Sequence, residues 1–178
     1  SFGKNYLSLF CNTFYKSIMV KHIDYITPKY AWENIKSYIP QDKVIWEAFY
    51  GNGNSGNHLK DMGFNVIHEE IDFFNKDTMP EYDIIVSNPP FSKSKQIMKS
   101  LKEINKPFIL ILPSSKINTS YFREYKNDGL QIIIPKKRIH FEKLVDGEKP
   151  TNFKNNCNFD CFYYCWKMNL ENDITWLE

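Results

Sequence analysis

Residues 107–113, Pro-Phe-Ile-Leu-Ile-Leu-Pro, are apolar at every position. A strand of this kind buries both of its faces, as strands do in a parallel sheet that carries helices on both sides. Shorter apolar segments of strand length alternate along the chain with segments whose apolar residues recur at helical spacing. That alternation predicts an α/β fold with a mostly parallel sheet and right-handed crossovers.

The predicted sheet has seven strands and ends in an antiparallel hairpin. Strands are predicted over residues 43–48, 64–68, 83–87, 107–113, 131–135, 138–144 and 158–166, and helices over residues 5–20, 27–37, 57–62, 93–104 and 118–127. Thr27 is predicted to cap the second helix, and the turn-rich segment containing Asp146-Gly147 joins the last two strands as the hairpin. The length fits a single domain over residues 1–178, with residues 1–23 as an N-terminal helical extension.

Composition narrows the class of protein. Hydrophobic residues make up 42% of the chain, which is a globular composition, and a formal net charge of +2 does not by itself indicate a polyanionic partner. No apolar run approaches the roughly 20 residues that a membrane-spanning helix needs. Of the 23 basic residues only Arg123 and Arg138 are arginines, a bias typical of AT-rich genomes such as those of some viruses.

The four cysteines, Cys11, Cys157, Cys161 and Cys165, contain no Cys-x-x-Cys pair. The spacing of the last three places them on one face of a strand, where free thiols pack as small hydrophobic groups. Because no histidine lies nearby to complete a ligand set, we predict no metal site. We also predict no disulfides and a reducing compartment, either cytoplasmic or inside a host cell.

The first predicted strand ends in the loop Glu47-Ala48-Phe49-Tyr50-Gly51-Asn52-Gly53. Two glycines one residue apart let the backbone approach a ligand closely, which a Cβ would prevent. The loop lacks the third glycine and the acidic spacing of the dinucleotide-binding fingerprint. Taken alone, it indicates either a ligand-binding loop or an ordinary tight turn.

The third predicted strand runs directly into Asn88-Pro89-Pro90-Phe91. Two consecutive prolines fix two φ angles and remove two backbone donors, so the turn is rigid and holds the Asn side chain in place. The Asn amide oxygen and a main-chain carbonyl can accept both hydrogens of an exocyclic amine, which turns the nitrogen lone pair toward an electrophilic methyl group. Phe91 offers a face on which a flipped base can stack. Both loops follow strand carboxyl ends, where open α/β sheets bind ligands, so we predict that they form one site.

The order of these features resembles the amino-methyltransferases: a Thr-Pro helix start, Glu-x-Phe-x-Gly-x-Gly, acidic residues after the second strand, and then Asn-Pro-Pro-Phe. The chain looks most like the small N6-adenine DNA methyltransferases of phages and large DNA viruses, over residues 24–167. The resemblance implies a class I, Rossmann-like methyltransferase fold and S-adenosylmethionine as the cofactor. It also implies transfer of a methyl group to the N6 amine of adenine in DNA.

The resemblance also implies roles for individual residues. Its cofactor-binding residues are Tyr25, Thr27, Pro28, Glu47, Phe49, Gly51, Gly53, Glu69, Glu70, Asp72, Phe73 and Asn88, and its catalytic residues are Asn88, Pro89, Pro90 and Phe91. Residues 47–53 would cradle the methionine part of the cofactor, and residues 24–28 would close over it. An acid after the second strand, Glu70 in preference to Glu69, would hold the ribose, while Asp72 would accept from the cofactor's adenine amine and Phe73 would stack on it.

One departure from the family pattern leaves the three acids open. Only Ile71 separates Glu70 from Asp72, whereas the family has a strand-crossing segment, often helical, between those two motifs. Either that segment has been lost or one acid is assigned twice. A solvated acid at a strand end remains the alternative for each of them.

The densest basic run covers residues 135–143, and similar segments in the resembling family lie beside the target pocket. Nucleic-acid contacts are predicted at Lys93, Lys95, Lys136, Lys137, Arg138 and His140, where cations would neutralise phosphates. A solvated strand edge, where lysines discourage aggregation, is the equal alternative. Because no stretch is long enough for a separate target-recognition domain, we expect relaxed sequence specificity. A homodimer or a partner subunit would then assist.

Other functions fit the same residues. The acceptor could be guanine N2 or adenine N6 in RNA, or a protein glutamine amide, since Asn-Pro-Pro turns serve those acceptors too. Phe91 argues modestly against glutamine, for which Tyr is the more familiar fourth residue. A non-catalytic subunit that keeps the fold is the third possibility, although the intact Asn88-Pro89-Pro90-Phe91 and Gly51-Asn52-Gly53 argue against decay.

Overall fold

The computed structural model of the chain describes residues 23–149 and 159–178. Its strands are β1 (Ile23–Ile26), β2 (Val44–Trp46), β3 (Asn65–Ile67), β4 (Ile84–Ser87), β5 (Phe108–Pro113), β6 (Leu130–Ile134), β7 (Glu142–Val145), β8 (Cys161–Trp166) and β9 (Ile174–Trp176). Its α-helices are α1 (Lys29–Glu33), α2 (Asn54–Asp61), α3 (Ser94–Ile104) and α4 (Ser120–Arg123). Short 3-10 helices cover Lys36–Tyr38, Lys76–Thr78, Phe91–Lys93 and Ser114–Asn118.

Seven of these strands form one sheet in the order β3-β2-β4-β5-β8-β6-β9. Strand β8 runs antiparallel to both of its neighbours, and the other six strands share one direction. The predicted fold class, an α/β, Rossmann-like and mostly parallel seven-stranded sheet with helices on both faces, is therefore confirmed.

The hydrophobic core lies on both faces of the sheet. Strand β5 is buried at all six positions, and its alternate side chains pack into two different clusters. One cluster includes Trp32 of α1 and Leu59 of α2, and the other includes Leu101 of α3 and Phe122 of α4. A strand covered by helices on both sides needs an uninterrupted apolar sequence, which is the pattern of residues 107–113.

The predicted pairing of the last two strands is wrong. Residues 142–145 form β7, which pairs antiparallel with β1 in a separate two-stranded sheet. Strand β8 has no free edge for β7, because it pairs with β5 on one side and with β6 on the other. The antiparallel pair at the carboxyl-terminal end of the sequence is therefore β6–β8.

Strands β1 and β9 were not predicted, because three or four residues of mixed character carry no periodic signal. Between β3 and β4, within the described residues, the chain forms only the 3-10 turn Lys76–Thr78, so the short spacing of the acids reflects a reduced crossover. Cys161 and Cys165 are both buried and lie on one face of β8, as predicted. The predicted helix at 5–20, Cys11 and Cys157 lie outside the described residues.

Two negative findings apply to the described part of the chain alone. Within residues 23–149 and 159–178, no group of three or more His, Cys, Asp or Glu side chains is placed to hold a metal ion. In the same residues, no helix has both the length and the apolar character needed to cross a membrane.

Candidate active site

A cleft of about 1040 Å³ opens at the carboxyl ends of β2 and β4. Parallel α/β sheets bind ligands at this edge, and small-molecule sites occupy roughly 300–1,000 Å³. Residues of the loop at 47–53 and of the loop at 88–91 both line this cleft, as predicted. The residues that line the cleft are Tyr25, Ile26, Thr27, Ala48, Phe49, Tyr50, Gly51, Asn52, Ser55, Ile71, Asp72, Phe73, Phe74, Asn88, Pro89, Pro90, Phe91, Ser92, Lys93, Leu144 and Gly147.

The Asn88 side chain is fixed by two hydrogen bonds from its amide nitrogen. Its Nδ2 donates to Thr27 Oγ1 at 2.9 Å and to the main-chain oxygen of Tyr25 at 3.3 Å. Both amide hydrogens are thus used, and this fixes which side of the amide carries the oxygen. Thr27 was predicted to cap α1, but its hydroxyl makes no cap bond and instead holds Asn88.

The Asn88 amide oxygen, Oδ1, is buried and has no hydrogen-bond partner among the described residues. A buried acceptor without a donor costs about 1–3 kcal/mol, so native proteins rarely keep one without a reason. Asn88 also lines the cleft, so a small movement of the cleft wall would let the N–H group of a ligand reach this oxygen. The hydrogen bonds of Nδ2 hold the acceptor in place for such a contact.

The segment after Asn88 is held by local bonds. Pro90 is extended, with φ −63° and ψ 119°, and the 3-10 helix Phe91–Lys93 follows it. The Phe91 carbonyl accepts from Ser94 Oγ at 2.7 Å and from Lys116 Nζ at 3.4 Å. These contacts fix Phe91 at the cleft wall.

The glycine loop supplies the opposite wall. Gly51 and Gly53 have φ of +57° and +85°, a left-handed conformation that residues with a Cβ rarely adopt. Gly51 lines the cleft, whereas Gly53 is buried against Tyr50 and His68. The predicted close approach of backbone to ligand is therefore available at Gly51 and not at Gly53.

Behind the glycine loop, His68 stacks on Tyr50 with ring centroids 4.5 Å apart. The imidazole lies against the first turn of α2, where a Cβ on Gly56 would be 2.1 Å from His68 Cγ. Gly56 is thus required by packing within the protein and not by a ligand. Burial, followed by the charge of Lys60, lowers the pKa of His68.

Changing Gly56 to alanine is expected to destabilise the protein by up to about 2 kcal/mol. The overpacking costs about 1–3 kcal/mol and outweighs the roughly 1 kcal/mol that alanine gains in a helix. In a His68→Ala background the sign should reverse, because the clash is gone and the helix preference remains. Urea unfolding of the four proteins measures this double-mutant cycle, and a Gly56→Ala that destabilises both backgrounds equally would contradict the assigned contact.

Glu47 lies at the end of β2 beneath the cleft and is completely buried. Its Oε1 accepts a hydrogen bond from Ser87 Oγ, while Oε2 is buried without a partner among the described residues. Burial raises the pKa of Glu47 to about 8, against smaller lowering effects from Ser87 and the Phe49 main chain. A carboxyl group so placed is protonated at neutral pH until a cation approaches it.

The three candidate acids do not share one location. Asp72 lines the cleft, and its Oδ1 accepts from the Phe74 main-chain nitrogen at 3.0 Å. Glu69 and Glu70 are exposed and do not line the cleft. Of the two neighbouring aromatics, Phe73 is 4% exposed and packs on Trp46, while Phe74 is 41% exposed at the cleft.

Sequence reasoning missed Phe74 and a cluster of aromatic rings on the other side of Asn88. Tyr25 and Phe91 stack with centroids 5.7 Å apart, and Phe141 and Phe159 meet both rings edge-on. Phe141 and Phe159 come from segments far apart in the sequence, so only the pairing of β1 with β7 and the start of β8 brings them together. No local sequence pattern predicts such a cluster.

The six residues predicted to contact nucleic acid do not all lie at the cleft. Lys93 lines the cleft, and Lys95, Lys136, Lys137 and His140 are exposed outside it. Arg138 instead makes a two-point ion pair with Asp160, from Nε to Oδ1 at 2.7 Å and from a terminal nitrogen to Oδ2 at 3.2 Å. Hydrogen bonding to Arg138 lowers the pKa of Asp160, so this arginine is already engaged within the protein.

No protein-family model and no curated protein matches this sequence. Solved structures that are similar include a dimethyladenosine transferase from Plasmodium falciparum, at 15% identity over 80% of this chain and 62% of that one, with a TM-score of 0.47. A modification subunit of a putative type I restriction enzyme from Vibrio vulnificus is 10% identical, over 92% of this chain and 48% of that one, with a TM-score of 0.47. A TehB-like SAM-dependent methyltransferase from Corynebacterium glutamicum is 12% identical, over 91% and 95%, with a TM-score of 0.45. The chain thus spans less than two thirds of the length of the first two.

Proposed function

We propose that this chain is an S-adenosylmethionine-dependent methyltransferase that acts on the N6 amine of adenine in DNA. The observation that carries the proposal is the buried amide oxygen of Asn88, which has no partner among the described residues and belongs to a residue of the cleft wall. An acceptor held in this way suits a substrate that brings an N–H group. A proline-rich loop that binds no ligand would gain nothing from such a buried acceptor.

The cleft residues fit the cofactor. Gly51 gives the close backbone approach that the methionine part requires, and Asp72 offers a carboxylate to the cofactor's nucleoside part. Phe74 gives an exposed aromatic face beside it. The buried Oε2 of Glu47, which has no partner among the described residues, suits a nearby cationic group. S-adenosylmethionine, when bound, supplies an electrophilic methyl group on a positively charged sulfur.

The protein would act by positioning and by hydrogen bonding. Asn88 Oδ1 accepts one hydrogen of the target amine, and we assign the second hydrogen to the main-chain carbonyl of Pro89. With both hydrogens held, the nitrogen lone pair is directed toward the methyl group. The new N–C bond forms as the C–S bond breaks, the bonding pair stays on sulfur, and the amine then loses one proton to solvent.

The surroundings of Asn88 support a nucleic-acid base as the acceptor. Aromatic rings at Tyr25 and Phe91 suit a planar base, and Lys93 at the cleft suits a phosphate. Adenine in RNA, guanine N2 and a glutamine amide are the alternative acceptors. A non-catalytic subunit would bind at most the cofactor.

Methyl transfer from labelled S-adenosylmethionine tests the proposal directly. Duplex DNA, single-stranded DNA, RNA and a glutamine-containing protein fraction are offered in parallel, and the products are digested and identified. The expected product is N6-methyladenine in DNA. Label in guanine, RNA or protein would move the assignment to that acceptor, and cofactor binding without transfer to any acceptor would indicate a supporting subunit.

A further inference from the structure

The aromatic side chains around the cleft separate into two groups on either side of Asn88. Phe49, Phe73 and Phe74 contact one another beside the glycine loop, where the cofactor would lie. Tyr25, Phe91, Phe141 and Phe159 contact one another on the other side. Tyr25 contacts the rings of Phe91, Phe141 and Phe159 in this second group, and it lines the same cleft as Phe49 and Phe74.

The Tyr25–Phe91 pair has the geometry of a clamp. The two rings are 5.7 Å apart with 21° between their planes, so they face each other nearly in parallel. Phe141 and Phe159 stand almost perpendicular to both rings, with interplanar angles of 73–84°. Phe141 and Phe159 thus pack edge-on against the pair, and both Tyr25 and Phe91 line the cleft.

Tyr25 is tied to the reacting position through its backbone. Its main-chain oxygen accepts from Asn88 Nδ2 at 3.3 Å, and this bond couples the position of Tyr25 to the Asn88 amide. Strand β1, which carries Tyr25, pairs with β7 outside the seven-stranded sheet. A small shift of that two-stranded sheet would therefore break no pairing of the main sheet.

We propose that Tyr25 is a residue of the acceptor site, where its ring and that of Phe91 clamp the planar target base between them. This deepens the proposed function and rests on it. Two stacking contacts of about 3.5 Å each require a ring separation of about 7 Å, so the pair opens modestly when the base enters. The assignment differs from the cofactor role that the resemblance implies for Tyr25.

The test measures base stacking separately from methyl transfer. The probe is a single-stranded thymidine oligonucleotide with one 2-aminopurine, whose fluorescence is quenched when it stacks, and it is titrated in the presence of S-adenosylhomocysteine. Wild type is expected to bind and quench it. Tyr25→Ala should lose the quench and weaken oligonucleotide binding at least about fivefold, and up to about a hundredfold, because base–aromatic stacking is worth that much.

Matched variants keep the result interpretable. Tyr25→Phe retains the flat ring and should behave like wild type, while Tyr25→Leu keeps apolar bulk for packing but should lose the quench. Tyr50→Ala, which removes an aromatic from the glycine-loop side, should weaken S-adenosylhomocysteine binding and leave the quench unchanged. The opposite responses of Tyr25 and Tyr50 are the expected signature.

Each other outcome has a definite meaning. Absence of the quench in wild type, or its persistence in both Tyr25→Ala and Tyr25→Leu, overturns the clamp. Tighter oligonucleotide binding by Tyr25→Ala also overturns it, because the ring would then only occupy the base's place. Weakened S-adenosylhomocysteine binding alone would return Tyr25 to the cofactor site. A wild type that quenches the probe but transfers no methyl group to DNA would instead contradict the proposed function and leave the clamp supported.

Discussion

Replacing Asn88 by alanine is expected to lower the rate constant of methyl transfer by about 100- to 1,000-fold, the usual cost of removing one preorganised hydrogen-bonding group from a reacting centre. Oδ1 is the acceptor that would hold the amine hydrogen, and alanine leaves nothing in its place. Cofactor affinity should change only a few-fold, since the cradle residues are untouched. Single-turnover transfer and calorimetric binding of S-adenosylhomocysteine measure the two quantities separately.

Two further variants are compared with Asn88→Ala. Thr27→Val keeps the shape of Thr27 but removes the hydroxyl that holds Asn88 Nδ2, so a loss of about 5- to 10-fold is expected, as for one hydrogen bond. Cofactor affinity should stay close to wild type, while the free energy of unfolding falls by about 1 kcal/mol because the Asn88 amide loses its partner. Asn65→Ala removes an exposed asparagine from β3 and should change nothing. An Asn88→Ala protein that transfers at the Asn65→Ala rate would remove Asn88 from the chemistry.

The parts of the site that the sequence predicted are those set by consecutive residues. Asn88-Pro89-Pro90-Phe91 and the loop at residues 47–53 each follow a strand, and parallel strands bring their carboxyl ends to one edge. The parallel sheet topology is therefore enough to predict that the two loops lie at one cleft. Burial on both faces leaves a continuous apolar sequence, and on that ground residues 107–113 were predicted to be the buried strand that the structure has as β5.

The remaining parts depend on contacts between distant segments. The basic run predicted a phosphate contact at Arg138, but Asp160, 22 residues away, takes up the guanidinium. Phe73 was assigned because it follows Asp72 in the motif that the resemblance implies, and the sequence does not show that Phe73 is buried while Phe74 is exposed. Tyr25 belongs to a four-residue strand whose partner lies in residues 142–145. No periodic signal fixes a pairing across that distance.

Replacing Glu47 by glutamine is expected to stabilise the free protein at neutral pH and to weaken cofactor binding. The folded pKa of Glu47 is about 8, against an ordinary value of 4.5. Between these values the folded protein retains a proton that the unfolded chain has released. The free energy of unfolding therefore falls as the pH rises from about 4.5 to about 8, by about 1.4 kcal/mol per pH unit.

Glutamine removes this dependence because its amide does not titrate, while its oxygen can still accept from Ser87 Oγ. At pH 7.5 the variant should exceed wild type by about 4 kcal/mol, and at pH 5 the two should agree within about 1 kcal/mol. Urea unfolding at the two pH values, without cofactor, measures the difference. A variant less stable than wild type at pH 7.5 would mean that the carboxylate is already ionised and paired.

The lower stability of wild type at neutral pH would serve cofactor binding if Glu47 ionises when a cation binds near it. Cofactor affinity in wild type should then rise as the pH approaches about 8, because less work is needed to remove the Glu47 proton. Glu47→Gln should bind more weakly and without that pH dependence, which titrations of S-adenosylhomocysteine at pH 6.5 and 8 would detect. If Glu47→Gln gains stability but loses cofactor binding, Glu47 is retained for function although it lowers the stability of the fold. If the variant bound the cofactor as tightly as wild type at both pH values, Glu47 would be only a buried carboxyl group beneath the cleft.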